Sequence, residues 1–139
     1  MQYHEIGKTG MKVSSLSFGA SSLGGVFHDL KEKEGIQAVA TAIESGMNFI
    51  DVSPYYGHYK AETMLGKALK ELPRDRYYLS TKVGRYGKDG VNLWDYSAKR
   101  ATKSVYESME RLNIDFIDLI NVHDIEFADL NQVVNETLP

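Results

Sequence analysis

Four side chains in this sequence could together move a proton to and from a carbonyl oxygen. They are a carboxylate, a phenol, an ammonium and an imidazole, at Asp51, Tyr56, Lys82 and His123. A positioned phenol can act as general acid or base in such a reaction, and an imidazole can donate a hydrogen bond to the reacting oxygen. We therefore take these four residues as the candidate catalytic set.

The four residue types have complementary predicted roles. A free phenol titrates near pH 10, so it acts near neutral pH only when a neighbouring cation stabilises its anion. Lys82 is the predicted source of that cation, and Asp51 would keep the lysine charged and oriented. His123 would bind the reacting oxygen and fix its position. Each residue taken singly also has an ordinary structural explanation, and it is their joint placement that favours a site.

The elements around these residues alternate between strand and helix. Hydrophobic periodicity and turn residues predict strands over 3–6 and 11–13 as a hairpin, then over 16–19, 48–52, 77–83 and 116–122. The predicted helices are 32–45, 61–68, one that starts at the N-cap Ser97 and one that starts near Asp129, with a Gly-rich loop over 84–93. Asp51, Lys82 and His123 fall at or just after strand C-terminal ends, where parallel barrels build their active sites.

Two α/β architectures share this alternation, the doubly wound sheet and the eightfold barrel. The first strand-to-helix turn, residues 19–25, lacks the G-x-G-x-x-G sequence that a dinucleotide-binding doubly wound domain carries there. We therefore predict an α/β fold of the (β/α)8 TIM-barrel type. Because eight repeats typically need roughly 250 residues, the 139 residues of this chain predict a truncated half barrel with strands one to four.

Four segments of the sequence also indicate a relationship to a known protein family. They are FGAS (18–21), FIDVSPYYG (49–57), TKVGRY (81–86) and HDIEF (123–127). They resemble the aldo-keto reductase family, and within it the L-galactose dehydrogenase branch. The resemblance implies hydride transfer between the nicotinamide of NADP or NAD and a sugar or small aldehyde or ketone. Tyr56 would be the acid in reduction and the base in oxidation.

The resemblance also implies the supporting residues of such a site. Lys82, Asp51 and His123 would assist the phenol and the reacting oxygen in the roles given above. Cofactor contacts would come from Gly19, Ala20, Ser21 and Asp51. No residue is assigned to a metal.

A domain organisation follows from the same resemblance. Residues 1–139 would form the N-terminal half of an aldo-keto reductase barrel, with a hairpin over 1–14 and four βα units over 15–139, the last incomplete. In relatives the other half supplies further cofactor contacts, so we expect weak binding of NADP or NAD and weak or absent activity. Open first and fourth strands would favour self-association or pairing with a complementary fragment.

Two other functions remain open from the sequence. A lysine at a barrel strand end could form a Schiff base, which makes an aldolase that uses Lys82 an alternative. The chain could also be a non-catalytic regulatory or interaction fragment on a reductase scaffold, as the related potassium-channel β subunits are.

The overall composition limits the partners. With 16 basic and 19 acidic residues, a net charge of −3 and no basic cluster, a nucleic-acid partner is not expected. The absence of cysteine excludes disulfides and thiolate metal sites, and no H-x-H or H-E-x-x-H sequence predicts another metal site. No apolar run approaches the roughly 20 residues that span a bilayer, and the N-terminus lacks a signal pattern. We therefore expect a cytoplasmic protein with no membrane partner.

Overall fold

The computed structural model describes residues 1–88 and 91–139, and its chain begins with the predicted hairpin. Strand β1 (Tyr3–Glu5) pairs antiparallel with β2 (Lys12–Ser14). The hairpin is fastened to the rest of the chain through Asn48, whose Oδ1 accepts a hydrogen bond from the backbone N–H of Ser14 at 2.7 Å. Asn48 directly precedes the strand Phe49–Asp51, so the hairpin is held against the start of that strand.

Four strands form one parallel sheet, in the order β3 (Phe18–Gly19), β4 (Phe49–Asp51), β5 (Tyr78–Val83) and β8 (Leu119–Val122). The helices between them are α1 (Glu32–Glu44), α2 (Lys60–Leu69) and α3 (Ala98–Leu112). The other elements are an antiparallel hairpin of β6 (Arg85–Lys88) and β7 (Val91–Trp94), α4 (Leu130–Gln132), a π-helix (Val133–Thr137), and 3-10 helices at Ala20–Gly24, Arg74–Arg76 and Ile125–Phe127. The predicted α/β alternation is therefore present.

The main core lies between the sheet and helices α1 and α2. Ile50, Leu65 and Leu79 are fully buried there, and burial of each such side chain contributes about 1.5–3 kcal/mol. Helices α2 and α3 approach so closely that a Cβ atom on Gly66 would lie 2.1 Å from the carbonyl oxygen of Arg111. Helices α2 and α3 are therefore packed tightly against each other beside the sheet.

A buried ionic network ties α2 to β5 and α3. The carboxylate of Glu62 is fully buried and accepts hydrogen bonds from the hydroxyl of Thr81 and from Nε of Arg111, both at 2.7 Å. This network holds β5 in place at Thr81, the residue directly before Lys82.

Ser97 is the N-cap of α3, as predicted, because its Oγ accepts a hydrogen bond from the backbone N–H of Arg100 at 3.3 Å.

The segment 84–93 differs from its prediction as a Gly-rich loop, although residues 89 and 90 of it lie outside the described residues. The structure forms the β6–β7 hairpin here, with Arg85 opposite Trp94 and Tyr86 opposite Leu93. Tyr86 is buried and its hydroxyl accepts a hydrogen bond from the backbone N–H of Gly84 at 2.9 Å. Side-chain anchoring of this kind stabilises a hairpin that strand propensity alone does not indicate.

The last strand of the sheet is shorter and more exposed than predicted. The sequence suggested a strand over 116–122 that is covered on both faces, whereas β8 spans four residues and Ile120 is 40% exposed. The reason is its position, because β3 and β8 each pair on one side only within the described part of the chain. Both end strands of the sheet are therefore open edges.

Candidate active site

The predicted catalytic residues lie at one end of the parallel sheet. Asp51 is the last residue of β4, Lys82 is near the end of β5 and His123 directly follows β8. The pairing of β5 with β8 extends to His123, because the backbone N–H of His123 donates a hydrogen bond to the carbonyl oxygen of Val83 at 2.8 Å. Parallel strands in register deliver their C-terminal residues to the same rim.

The ammonium of Lys82 is held by two acceptors. It donates to Oδ2 of Asp51 at 2.6 Å and to the carbonyl oxygen of Val52 at 2.9 Å. The side chains of Lys82 and Asp51 are 13% and 32% exposed, so the pair is partly shielded from water. A charged hydrogen bond in such surroundings fixes the lysine in one orientation.

Tyr56 lies over this ion pair. The Lys82 ammonium is 5.0 Å from the centre of the Tyr56 ring, and the His123 ring is 5.8 Å from it in an edge-on arrangement. The loop that carries Tyr56 turns back through a hydrogen bond from its N–H to the carbonyl of Ser53 at 3.2 Å. The geometry thus brings the carboxylate, ammonium, phenol and imidazole into one cluster.

Two glycines fix the path of the Tyr56 loop. Gly57 has φ 60°, in the left-handed region, and a Cβ atom on it would lie 2.1 Å from the carbonyl oxygen of Gly24. A Cβ atom on Gly24 would in turn lie 2.8 Å from the carbonyl oxygen of Tyr56. The loop therefore packs backbone to backbone against the 3-10 helix that follows β3, which only glycine permits at both positions.

His123 has one polar side-chain neighbour at each ring nitrogen. Nδ1 is 3.1 Å from Oγ of Ser53, and Nε2 is 3.6 Å from Oδ1 of Asp124. Burial lowers the pKa of His123 below its ordinary value of 6.5, although the Asp124 carboxylate acts in the opposite direction. The cations of Lys82 and Arg85 also lower this pKa. The imidazole is therefore neutral at pH 7 and carries a single N–H.

The segment predicted to contact a cofactor lies beside the same rim. Gly19 is paired in register with Asp51, and a Cβ atom added to Gly19 would meet no atom within 4 Å. Ala20 is fully buried, whereas Ser21 and Tyr56 both line a surface cavity of about 430 Å³. Open space therefore lies next to Gly19, while Ser21 and Tyr56 line a cavity that neither Gly19 nor Asp51 lines.

Two features of this region were not found from the sequence. Ser53 contacts His123, and the guanidinium of Arg85 pairs with Asp124 while it lies 3.7 Å from the Tyr55 ring centre and 4.6 Å from the Trp94 ring centre. The segments 81–86 and 123–127 contained Arg85 and Asp124, but nothing in their spacing indicated that the two side chains meet. Only the strand register brings them together.

The described residues contain no group of three or more His, Cys, Asp or Glu placed to hold a metal ion. Across the same residues, no helix has the length and apolar character needed to cross a membrane.

Comparison with known proteins assigns the family. A sequence profile described as the aldo/keto reductase family matches residues 15–137. The chain belongs to this family. The family resemblance of the four segments is thereby confirmed, and the match extends across nearly all of the chain.

Several characterised relatives of this aldo/keto reductase chain share its sequence along most of its length. It is 48% identical over 100% of its length to L-galactose dehydrogenase of Arabidopsis thaliana, of which it covers 43%. It is 37% identical over 88% of its length to D-arabinose 1-dehydrogenase of Saccharomyces cerevisiae, covering 36% of that protein. It is 36% identical over 99% of its length to a protein of Arabidopsis thaliana named "Probable voltage-gated potassium channel subunit beta", of which it covers 41%. The chain thus spans less than half the length of these relatives.

Solved structures confirm the fold class. An aldo-keto reductase from Bacillus halodurans in its holo form superposes with a TM-score of 0.84 at 31% identity, with 99% of this chain and 44% of that chain covered. An aldo-keto reductase from Klebsiella pneumoniae in complex with NADPH gives a TM-score of 0.67 at 25% identity, with 81% and 36% covered. The four parallel strands are therefore part of an aldo-keto reductase (β/α)8 barrel.

Proposed function

We propose that this chain carries the catalytic rim of an NAD(P)-dependent oxidoreductase that interconverts a sugar, or a small aldehyde or ketone, with its oxidised or reduced form. The observation that carries the proposal is the cluster of four side chains, in which the Lys82 ammonium lies 5.0 Å from the Tyr56 ring centre and 2.6 Å from Asp51. The names of the two sugar dehydrogenases among the relatives support the substrate class.

Tyr56 has the role of general acid in reduction and general base in oxidation. The fixed cation of Lys82 beside the ring favours the phenolate that remains after the proton has been given away. Asp51 keeps the ammonium charged and oriented through the 2.6 Å hydrogen bond. His123 donates its single N–H to the reacting oxygen and holds it near the phenol.

The residues that would hold the nicotinamide are Gly19, Ala20, Ser21 and Asp51. The open space beside Gly19, next to the paired Asp51, fits the approach of a flat ring to the backbone. A bound NADP or NAD would supply or accept the hydride. The holo and NADPH-bound states of the two related structures support this class of cofactor.

We further propose that this chain binds the cofactor weakly. The predicted contacts come from one short segment after β3 and from Asp51, with open sheet edges on both sides. Remote contacts normally supply much of the binding energy that holds reacting groups in register. A chain with few such contacts should show a high dissociation constant even with its catalytic side chains in position.

The aldolase alternative has less support from the geometry. A Schiff-base lysine must be a neutral amine when it attacks a carbonyl. The Lys82 nitrogen instead donates hydrogen bonds to the Asp51 carboxylate and the Val52 carbonyl, which it would have to give up before it could attack a substrate carbonyl. Borohydride added with an aldehyde should leave the mass of Lys82 peptides unchanged, and a substrate-dependent adduct there would favour the aldolase.

A regulatory or interaction role is the second candidate, and one observation favours it. The chain is 36% identical to a voltage-gated potassium channel subunit β. This role predicts that the chain recovers a specific protein partner from cell extract while it transfers no hydride. Our proposal predicts hydride transfer by the chain without any partner.

Cofactor binding gives a direct test of the proposed function. Trp94 is the single tryptophan of the chain and lies 4.6 Å from the guanidinium of Arg85, which pairs with Asp124 near His123. NADPH or NADH should quench its fluorescence in a saturable way, and the variant Gly19→Leu, which fills the open space without adding a second tryptophan, should abolish the saturable part. A linear, unsaturable decrease that is equal in both proteins would overturn the proposal.

A further inference from the structure

Ser53 lies between the Tyr56 loop and the imidazole of His123. Its side chain is fully buried, and it follows Asp51 by two residues. Its Oγ accepts a hydrogen bond from the backbone N–H of Tyr55 at 3.1 Å and is 3.1 Å from Nδ1 of His123. Its carbonyl oxygen accepts the N–H of Tyr56 at 3.2 Å. One residue therefore contacts both the predicted acid and the predicted hydrogen-bond donor.

The hydrogen atoms around Ser53 can be assigned by counting donors and acceptors. A serine hydroxyl has one donor hydrogen and two acceptor positions. The N–H of Tyr55 occupies one acceptor position, and among the described residues the structure offers the hydroxyl hydrogen no acceptor other than Nδ1 of His123, which favours donation from Ser53 to Nδ1. A neutral imidazole that accepts at Nδ1 carries its hydrogen on Nε2.

The opposite side of the ring favours the same assignment. Nε2 of His123 is 3.6 Å from Oδ1 of Asp124. A hydrogen on Nε2 is attracted by that carboxylate, whereas a lone pair on Nε2 would be repelled by it. At 3.6 Å the contact is longer than a hydrogen bond, so the Nε2 hydrogen remains available to a substrate oxygen.

The backbone of His123 is fixed by a different residue. The hydroxyl of Tyr96 donates to the carbonyl oxygens of His123 and Asp124 at 2.8 Å and 3.0 Å. These bonds set the position of the main chain and do not involve the ring nitrogens. The contact with Ser53 is the one short polar contact that fixes the ring within the described residues.

We propose that Ser53 is a positioning residue that holds His123 in the tautomer with its hydrogen on Nε2, aimed at the reacting oxygen. The tautomer follows from the contacts above, and its use in catalysis rests on the proposed function. Because the same residue anchors the Tyr56 loop, Ser53 couples the direction of the His123 donor to the position of the phenol.

Nitrogen NMR of the histidine rings tests the tautomer without any substrate. In the labelled wild-type chain we expect Nδ1 of His123 to be the unprotonated nitrogen, with a resonance shifted by an accepted hydrogen bond, and His123→Gln assigns the signal by removing it. Ser53→Ala should remove that shift and raise the fraction of the other tautomer, and Ser53→Thr, which keeps the hydroxyl, should restore it. Ser104→Ala is the matched control, because Ser104 is fully buried and its Oγ has no partner in the described structure.

Turnover supplies the second measurement. Ser53→Ala should lower kcat by about tenfold, the effect of losing one hydrogen bond, and leave the KM for cofactor unchanged, while Ser104→Ala changes neither. A wild-type spectrum with the hydrogen on Nδ1, or a Ser53→Ala spectrum identical to wild type, overturns the inference. If Ser53→Ala does not fold, the wild-type and Ser53→Thr spectra still decide. The expected tautomer in a chain without turnover would instead contradict the proposed function alone.

Discussion

The ammonium of Lys82 and the carboxylate of Asp51 are 2.6 Å apart at the ends of two neighbouring parallel strands, and the Asp51 side chain is 32% exposed. Arg111 and Glu62 form another ion pair at 2.7 Å, but the Glu62 side chain is fully buried. Loss of the cation leaves Asp51 accessible to water, whereas Glu62 would be left charged in the core. The two pairs should therefore respond very differently to the same kind of substitution.

Lys82→Met should abolish turnover with little effect on stability. The methionine keeps the unbranched stem but removes the cation beside Tyr56, while the exposed part of Asp51 can be hydrated. We expect the free energy of unfolding, measured with denaturant, to change by no more than about 1 kcal/mol. A loss of several kcal/mol would mean that Lys82 is mainly a structural residue.

Arg111→Met should destabilise the fold strongly. It leaves the carboxylate of Glu62 buried without its cation, which typically costs about 3–5 kcal/mol. Denaturant unfolding measures the loss. In the double variant Arg111→Met with Glu62→Gln most of it should return, because the amide is neutral and can still accept from Thr81. Equal losses in the single and double variants would exclude an unpaired charge as the cause.

The stability of the fold should decline in mild acid because of His123. Burial lowers its folded pKa below 6.5, so below pH 6.5 the unfolded chain takes up a proton that the folded chain does not bind. The free energy of unfolding therefore falls as the pH drops from 6.5 to the lower folded pKa, and this contribution is constant above 6.5. His123→Gln should remove that part of the decline, whereas His28→Gln, at an exposed position, should keep it. Identical pH profiles for all three proteins would contradict the shifted pKa.

The open edge strand β8 should promote association. Ile120 is 40% exposed on this edge, and an unpaired apolar strand is a template for another chain. Sedimentation velocity should show concentration-dependent association of the wild-type chain at micromolar concentration and its reduction by Ile120→Lys. Tyr106→Lys is the control, since Tyr106 is an exposed aromatic residue on α3 and not on the strand β8. A wild-type chain that stays monomeric at every concentration would refute this prediction.

The alternation of elements could be predicted because it depends on local patterns. The helical spacing that predicted residues 32–45 is found in α1 as Glu32–Glu44, and the N-cap at Ser97 was visible as a serine before a helical repeat. The hairpin of β6 and β7 could not be predicted in the same way. It depends on the burial of Tyr86, whose ring centre lies 3.9 Å from the guanidinium of Arg100 on α3, a tertiary contact that local spacing does not reveal.

The candidate site, like the fold, could be predicted only in part. Asp51, Lys82 and His123 could be selected because strand ends are recognisable and barrel sites are built there. The roles of Ser53 and Asp124 could not be predicted from the sequence, because each role depends on which ring nitrogen of His123 the side chain faces. Strand ends predicted the meeting of Asp51, Lys82 and His123, whereas the contacts of Ser53 and Asp124 with His123 depend on side-chain positions that only coordinates define.

The central claim is that Tyr56 carries the proton of a hydride-transfer reaction at this rim. The most direct measurement follows deuterium from C1 of a labelled aldose sugar into NAD or NADP at saturating cofactor, by mass spectrometry. We expect transfer by the wild-type chain and by the control Tyr106→Phe, and none by Tyr56→Phe, which should still bind cofactor because only one hydroxyl is removed. Transfer by Tyr56→Phe at the wild-type rate would contradict the account.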